Sequence, residues 1–223
     1  MSSPEAADAP AVRSRRTRKP VIAVTGAAGG LGQAVAASLA RRPDVAKVVA
    51  IDERRGDIDG VTWRVVDVCD PALAGRIGKV DAIVHLDVDT SIASRRDARP
   101  GRNVRGTQTV ITAAAATGVR RVVLVTSAMV YGALPDNPVP LDEDAPLRAM
   151  PDGSFVSDLL EIEHLARRAP LSHPGLSVTV LRPATVVGPG SSTARRAADA
   201  GSLSCDNARA IFRQAHGRYR CRR

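Results

Sequence analysis

The sequence predicts an α/β fold, a doubly wound parallel sheet of about six strands with helices on both faces. Three observations carry that prediction. From Val21 onward, short apolar runs alternate with longer helical stretches. The strand candidates are apolar along their whole length rather than alternating, the pattern of strands covered on both sides. The first run ends in Gly26-x-x-Gly29-x-x-Gly32, and an Ala-rich helical stretch follows directly.

The elements follow in order. Residues 1–19 are rich in Ser, Ala, Pro and Arg without periodicity and read as a disordered basic tail. The domain itself is expected over residues 20–190. Strands are predicted at 21–25, 48–52, 62–66, 82–86, 121–126 and 177–181. Helices are predicted at 31–41, 72–77 (short), 102–117 and 154–168. Right-handed crossovers make such an alternation doubly wound, and ligands then bind at the carboxyl ends of the strands near the switch in strand order.

The glycine turn sits where that rule puts a ligand. Gly26 permits a tight turn, Gly29 lets a phosphate approach the backbone, and Gly32 lets the helix pack close to the strand. Amides at the helix start face an anion. The second strand ends in Asp52, twenty residues past Gly32, the place of a ribose-binding carboxylate. The alternative is a plain strand–helix connection, but strand, glycine turn, helix and acid in this order point to a dinucleotide.

Composition narrows the classes. No stretch of about 18 apolar residues exists, so no membrane span is expected. No apolar leader is seen near the start, and a cytoplasmic location is the expectation. Cys69, Cys205 and Cys221 lack CxxC spacing and suggest neither a disulfide framework nor a metal site. The net charge of +9 resides in the ends. Residues 1–19 carry +3, residues 191–223 carry +6, and residues 20–190 balance at nineteen of each sign. Basic tails attract nucleic acid without specificity, so no specific nucleic-acid partner is expected.

Several strand ends carry residues with two readings each. Asp67 either caps the helix after Pro71 or lies in the site. His85 is a buried, satisfied histidine or a site residue. Ser127 is a turn residue or a functional hydroxyl.

As a set, these stretches resemble the extended short-chain dehydrogenase/reductases, the NAD-dependent epimerase/dehydratase family that acts on nucleotide sugars. The resemblance rests on 25–32 (Thr-Gly-Ala-Ala-Gly-Gly-Leu-Gly), Asp52, Asp67-Val68, Val84-His85-Leu86, Asn103-Val104-Arg105-Gly106-Thr107, 126–132 (Thr-Ser-Ala-Met-Val-Tyr-Gly) and 181–189 (Leu-Arg-Pro-Ala-Thr-Val-Val-Gly-Pro). It implies a Rossmann fold, with Gly26, Gly29, Gly30, Leu31 and Gly32 around the pyrophosphate and Asp52 on the adenosine ribose. Asp67 and Val68 would border the adenine. Leu86, Asp87 and Val88 would lie beside the cofactor, where the family usually has small alanines. Asn103 would organise the neighbouring helix, and Ser127 would hydrogen-bond the reacting substrate oxygen. NAD is favoured over NADP because Asp52 repels a 2′-phosphate, although Arg54 and Arg55 are near enough to meet one.

The family's proton-transfer pair, Tyr-x-x-x-Lys, is absent. Phe155 and Leu159 occupy the Tyr and Lys positions, and no YxxxK exists elsewhere in the chain. The chain most resembles an atypical, actinobacterial-type branch with Phe-x-x-Asp followed by Ile-Glu. Substitute bases are Asp158, on the same helical face as Phe155, and Tyr131. His164 falls on the opposite face. After Gly190 the motif pattern breaks, and residues 191–223 read as a disordered or out-of-frame basic tail. The family's substrate lobe is therefore expected to be missing, as in a truncated chain. The resulting expectation is an NAD-binding member of the family with a nucleotide-sugar-like ligand and no metal. The resemblance also implies a homodimer. The alternatives are a non-catalytic protein that senses nicotinamide cofactor and, ranked below it, a nucleic-acid-associated protein acting through its basic tails.

Overall fold

The computed structural model describes residues 18–89, 101–151 and 155–184. The expectations for residues 1–17, for 185–190 and for the 191–223 tail lie outside them. Six parallel strands form one sheet: β1 (Val21–Thr25), β2 (Lys47–Asp52), β3 (Val61–Val65), β4 (Ala82–His85), β5 (Arg121–Val125) and β6 (Ser177–Leu181). Their order is β3-β2-β1-β4-β5-β6. The direction of winding reverses between β1 and β4, which opens a crevice at their carboxyl ends. The helices are α1 (Gly30–Ala40), α2 (Leu73–Ile77), α3 (Arg102–Ala116) and α4 (Phe155–Ser172), with a 3₁₀ turn over Ala128–Tyr131. This is the Rossmann-type α/β architecture.

Alternate residues of the central strands feed two cores. On one face, Val24, Val48 and Ala50 pack under Ala36 of α1. On the other, Ala23, Ile51, Ile83, Val122 and Leu124 pack under α2, α3 and α4 through residues such as Leu73, Val110, Leu159 and Ile162. Two expectations change. The sheet is not covered on both faces throughout: among the described residues, Ser177, Thr179 and Leu181 of β6 are exposed. The only described helix on that face, α1, packs over β1–β3. The last helix also runs past residue 168 to Ser172, through Pro170. Pro170 has no amide to give the Ala166 carbonyl, and the helix ends two residues later. The turn closes with the His173 amide on the Ala169 carbonyl at 2.8 Å.

Candidate functional site

The glycine turn is closed below and open above. Gly26 has a φ of +69°, and a Cβ there would lie 2.8 Å from the Asp87 amide nitrogen and 2.9 Å from the Leu86 carbonyl oxygen. A Cβ on Gly32 would lie 2.0 Å from the Gly26 carbonyl oxygen. The loop is thus pressed against its own helix and against the exit of β4. At Gly29 a Cβ would meet only the Arg54 guanidinium, at 3.4 Å, and at Gly30 nothing within 4 Å. Helix α1 begins after Gly29 with no side-chain cap, and Leu31 is exposed beside it. Free space over the loop, small residues beneath it and a helix start at its end fit the pyrophosphate of a dinucleotide.

Asp52 ties the loop to the end of β2. Its Oδ2 accepts from the Ala28 amide at 2.9 Å and its Oδ1 from the Arg54 amide at 3.3 Å. The carboxylate is therefore already aimed at the head of the loop.

Arg102, at the start of α3, gathers acids from three strand ends. Its guanidinium donates to Glu53, to Asp67 Oδ1 at 3.2 Å and to Asp87 Oδ1 at 3.3 Å. Burial pushes the Asp87 carboxyl up from its usual range, and Arg102 opposes that rise. Asp67 does not lead into α2. Its Oδ1 accepts from the Cys69 amide, and it is Asp70 that accepts from Ala72 ahead of the helix. Val68, expected to border the adenine, is wholly buried, with its side chain against α3 at Gly106. Only a glycine allows α3 to approach that closely, since a Cβ would stand 2.9 Å from Val68 Cγ2.

His85 is a buried, satisfied histidine. The Thr107 hydroxyl donates its proton to the Asn103 carbonyl at 2.8 Å, so it accepts from His85 Nε2 at 3.1 Å. In the neutral ring Nδ1 is then the acceptor, and it takes the Thr25 hydroxyl proton at 2.7 Å while the Thr25 oxygen accepts from the Leu86 amide at 3.1 Å. Burial lowers the imidazole pKa from 6.5 to about 4, with Arg102 adding to the effect, so the ring is neutral.

Asn103 holds the chain past β4 and the start of α4 together. Its Oδ1 accepts from the Asp89 amide at 2.8 Å, and its Nδ2 donates to the Asp89 carbonyl at 2.9 Å and to Asp158 Oδ2 at 3.1 Å. Leu86, Asp87 and Val88 line the same exit, each half-buried. Leu159 is fully buried in the large core and Phe155 packs against it. Ser127 accepts from the Met129 amide at 3.2 Å and caps the 3₁₀ turn while staying partly exposed.

Tyr131 is buried, and its hydroxyl accepts from Arg182 at 2.9 Å, with that guanidinium 5.4 Å from the ring centroid. Arg182 also grips the buried Glu163 through two parallel bonds of 2.8 Å, and the Thr126 hydroxyl donates to the same carboxylate at 2.9 Å. Burial alone would raise the Glu163 pKa, but the bonds from Arg182 and Thr126 outweigh it and hold the carboxyl below its usual range. His164 lies away from Phe155, in a cleft of about 560 Å³ with Leu160, Arg167 and the loop at 143–147.

Sequence reasoning did not single out Arg102, Glu53 or Glu163. The available signals were an arginine directly before Asn103 and acids at successive strand ends. Among the described residues, no group of three His, Cys, Asp or Glu is placed to hold a metal ion, and no helix is long and apolar enough to cross a membrane.

Fold and loop together define a dinucleotide-binding protein of the short-chain dehydrogenase/reductase type. The sequence pattern of the NAD dependent epimerase/dehydratase family matches residues 22–211, and the chain belongs to that family. The match continues past Gly190, where the motif reading lost the resemblance. The chain is 35% identical over 188 residues to an uncharacterized protein of Mycobacterium tuberculosis strain H37Rv, covering 78% of this chain and 49% of that protein. It thus spans about half the length of that curated relative. A short-chain dehydrogenase/reductase superfamily protein from Agrobacterium tumefaciens, solved with bound NAD, is 33% identical with a TM-score of 0.63, covering 73% of this chain and 48% of that one. MoeE5, solved with UDP-glucuronic acid and NAD, is 30% identical with a TM-score of 0.65, covering 78% and 57%.

Proposed function

We propose that this chain binds NAD across the β1–β4 crevice and does not, as it stands, turn over nucleotide sugars. The observation that carries the reading is a contrast within one cleft. The loop from Gly26 to Gly32 and its Asp52 anchor are shaped for the cofactor, whereas the helix face that carries the family's proton relay presents Phe155 and a buried Leu159. When bound, NAD supplies a nicotinamide ring that accepts or returns a hydride. This chain's residues would hold the pyrophosphate at Gly29 and Gly30 and the adenosine ribose at Asp52. Ser127 is available to a substrate oxygen. Phenylalanine moves no proton, and general acid–base assistance is typically worth ~10²–10⁴ in rate. The NAD-bound relatives and the UDP-sugar complexes of MoeE5 support NAD and a nucleotide-sugar-like ligand.

The apolar Phe155 and Leu159 also favour a second reading, a non-catalytic member that reports nicotinamide status to a partner. Calorimetric titration tests the shared cofactor site: NAD is expected to bind more tightly than NADP, and tighter NADP binding rejects the assignment. A mass-spectrometric assay with UDP- and dTDP-hexoses tests turnover. Product above that of a Gly29-substituted control rejects inactivity and makes Asp158 the first residue to mutate. Phe155→Tyr with Leu159→Lys is expected to remain inactive, because the new lysine replaces a buried core residue.

A further inference from the structure

We propose that Asp158 biases the cleft toward the oxidised cofactor, so that the chain holds NAD⁺ more tightly than NADH. The inference rests on the cofactor reading above and adds the redox state that the site prefers and the residue responsible.

The first support is position. Asp158 Oδ2 is held by Asn103, and the same Asn103 side chain grips both backbone groups of Asp89, just past the end of β4. Asp52 stands at the end of β2, on the other side of β1. A dinucleotide whose adenosine ribose lies on Asp52 and whose pyrophosphate crosses the glycine loop carries its nicotinamide to the β4–β5 side of the switch point. Asp158 therefore belongs to the nicotinamide end.

The second support is charge. NAD⁺ and NADH differ at that end by one positive charge on the ring. The first turn of α4 reads Phe155-Val156-Ser157-Asp158, and Asp158 is its one charged side chain. The next residue is the buried Leu159, where the family pattern would place a cation. A turn that would bear positive charge bears negative charge instead. The amide end of α4 favours an anion at this position. Partial burial pushes the Asp158 carboxyl up, and the bond from Asn103 works against that rise. Arg102, adjacent in sequence to Asn103, is committed to Glu53, Asp67 and Asp87. Its charge is thus largely balanced before it can offset Asp158.

One carboxylate facing one ring charge at the half-buried end of the cleft should separate the two forms by about tenfold in affinity. The test uses the 223-residue chain and three probes. NAD⁺ and ADP-ribose are titrated by calorimetry, and NADH is followed by its own fluorescence. In the unmodified chain NAD⁺ should bind about tenfold more tightly than NADH. Asp158→Asn keeps an acceptor for Asn103 and removes the charge, so the ratio should fall toward one. Asp158→Lys should invert it. ADP-ribose lacks the nicotinamide, and its affinity should stay the same in all three proteins. If ADP-ribose binds but neither substitution moves the NAD⁺/NADH ratio, the inference is overturned and the cofactor reading stands. If the unmodified chain binds none of the three probes, both fall. Should Asp158→Lys lose ADP-ribose through misfolding, the isosteric Asp158→Asn variant decides alone.

Discussion

The glycine loop over β1 and β2 is assembled from backbone and a short carboxylate, while the α4 and β6 side is tied together by long side chains far apart in sequence. On the first side, Gly26 and Gly32 interlock, and Asp52 reaches the Ala28 amide. On the second, Arg182 joins β6 to α4 through Glu163, and Asn103 joins α3 to Asp158. The first side keeps what a dinucleotide needs. The second carries the half-buried Phe155 and the fully buried Leu159 at the two positions that the resemblance gives to a proton relay. The contrast teaches that holding a cofactor and using it are separable demands. A glycine loop works through backbone geometry that its own sequence dictates, whereas a proton relay depends on two side chains that can be lost without loss of the fold.

The largest expected effect breaks the second side. Arg182→Ala leaves Glu163 buried without its bidentate partner, and losing one member of a buried pair costs about 3–5 kcal/mol. Chemical denaturation should show that loss. NAD affinity of the remaining folded protein should change little, because Arg182 contacts Tyr131, Glu143 and Glu163 rather than the glycine loop.

A pH titration of stability probes the junction between the sides, where His85 links β1, β4 and α3. The imidazole takes up a proton near 6.5 when unfolded and near 4 when folded. Between those values the unfolded chain binds the extra proton, so its contribution is complete above the unfolded pKa and is lost as pH falls toward 4. The shift corresponds to roughly 3 kcal/mol at most. Stability of His85→Gln should fall less steeply than that of the unmodified chain over this window, and parallel curves would remove His85 from the account.

Two glycine substitutions sharpen the comparison within the first side. Gly32→Ala drives a methyl group into the Gly26 carbonyl, and overpacking of this kind costs about 1–3 kcal/mol. Gly29→Ala meets only a flexible guanidinium and should leave stability within about 0.5 kcal/mol, as at other sites free of clashes. Both should weaken NAD, the first by deforming the loop and the second by crowding the pyrophosphate. Melting temperature and calorimetry together separate the two causes.

The smallest effect is expected at the chain start. Removing residues 1–19 takes away the exposed Arg18–Asp81 ion pair, while the Val21 amide still donates to Asp81 at 2.7 Å. Exposed pairs contribute about 0–1 kcal/mol, so the melting temperature should barely move.

What the sequence alone determined is local. Six apolar runs and four helical stretches follow from propensity and patterning, and their bounds fall within a few residues of the observed ones. The glycine turn and the twenty-residue spacing to Asp52 were legible because phosphate binding uses backbone that its own glycines shape. The missing Tyr-Lys pair was legible as plain absence. The tertiary structure decided the partners. Arg102 meets Glu53, Asp67 and Asp87 because the order β3-β2-β1-β4 brings three strand ends under one helix start, an adjacency that no spacing along the chain encodes. Asn103 finds Asp158 across 55 positions, and Tyr131 turns to Arg182 across 51, each through the packing of α4 on α3 and β6. The Val68 side chain packs in the core because Gly106 lets α3 come that close. Charges and side-chain directions of this kind depend on which elements become neighbours, and that is settled by burying two apolar faces at once, not by any single stretch of sequence.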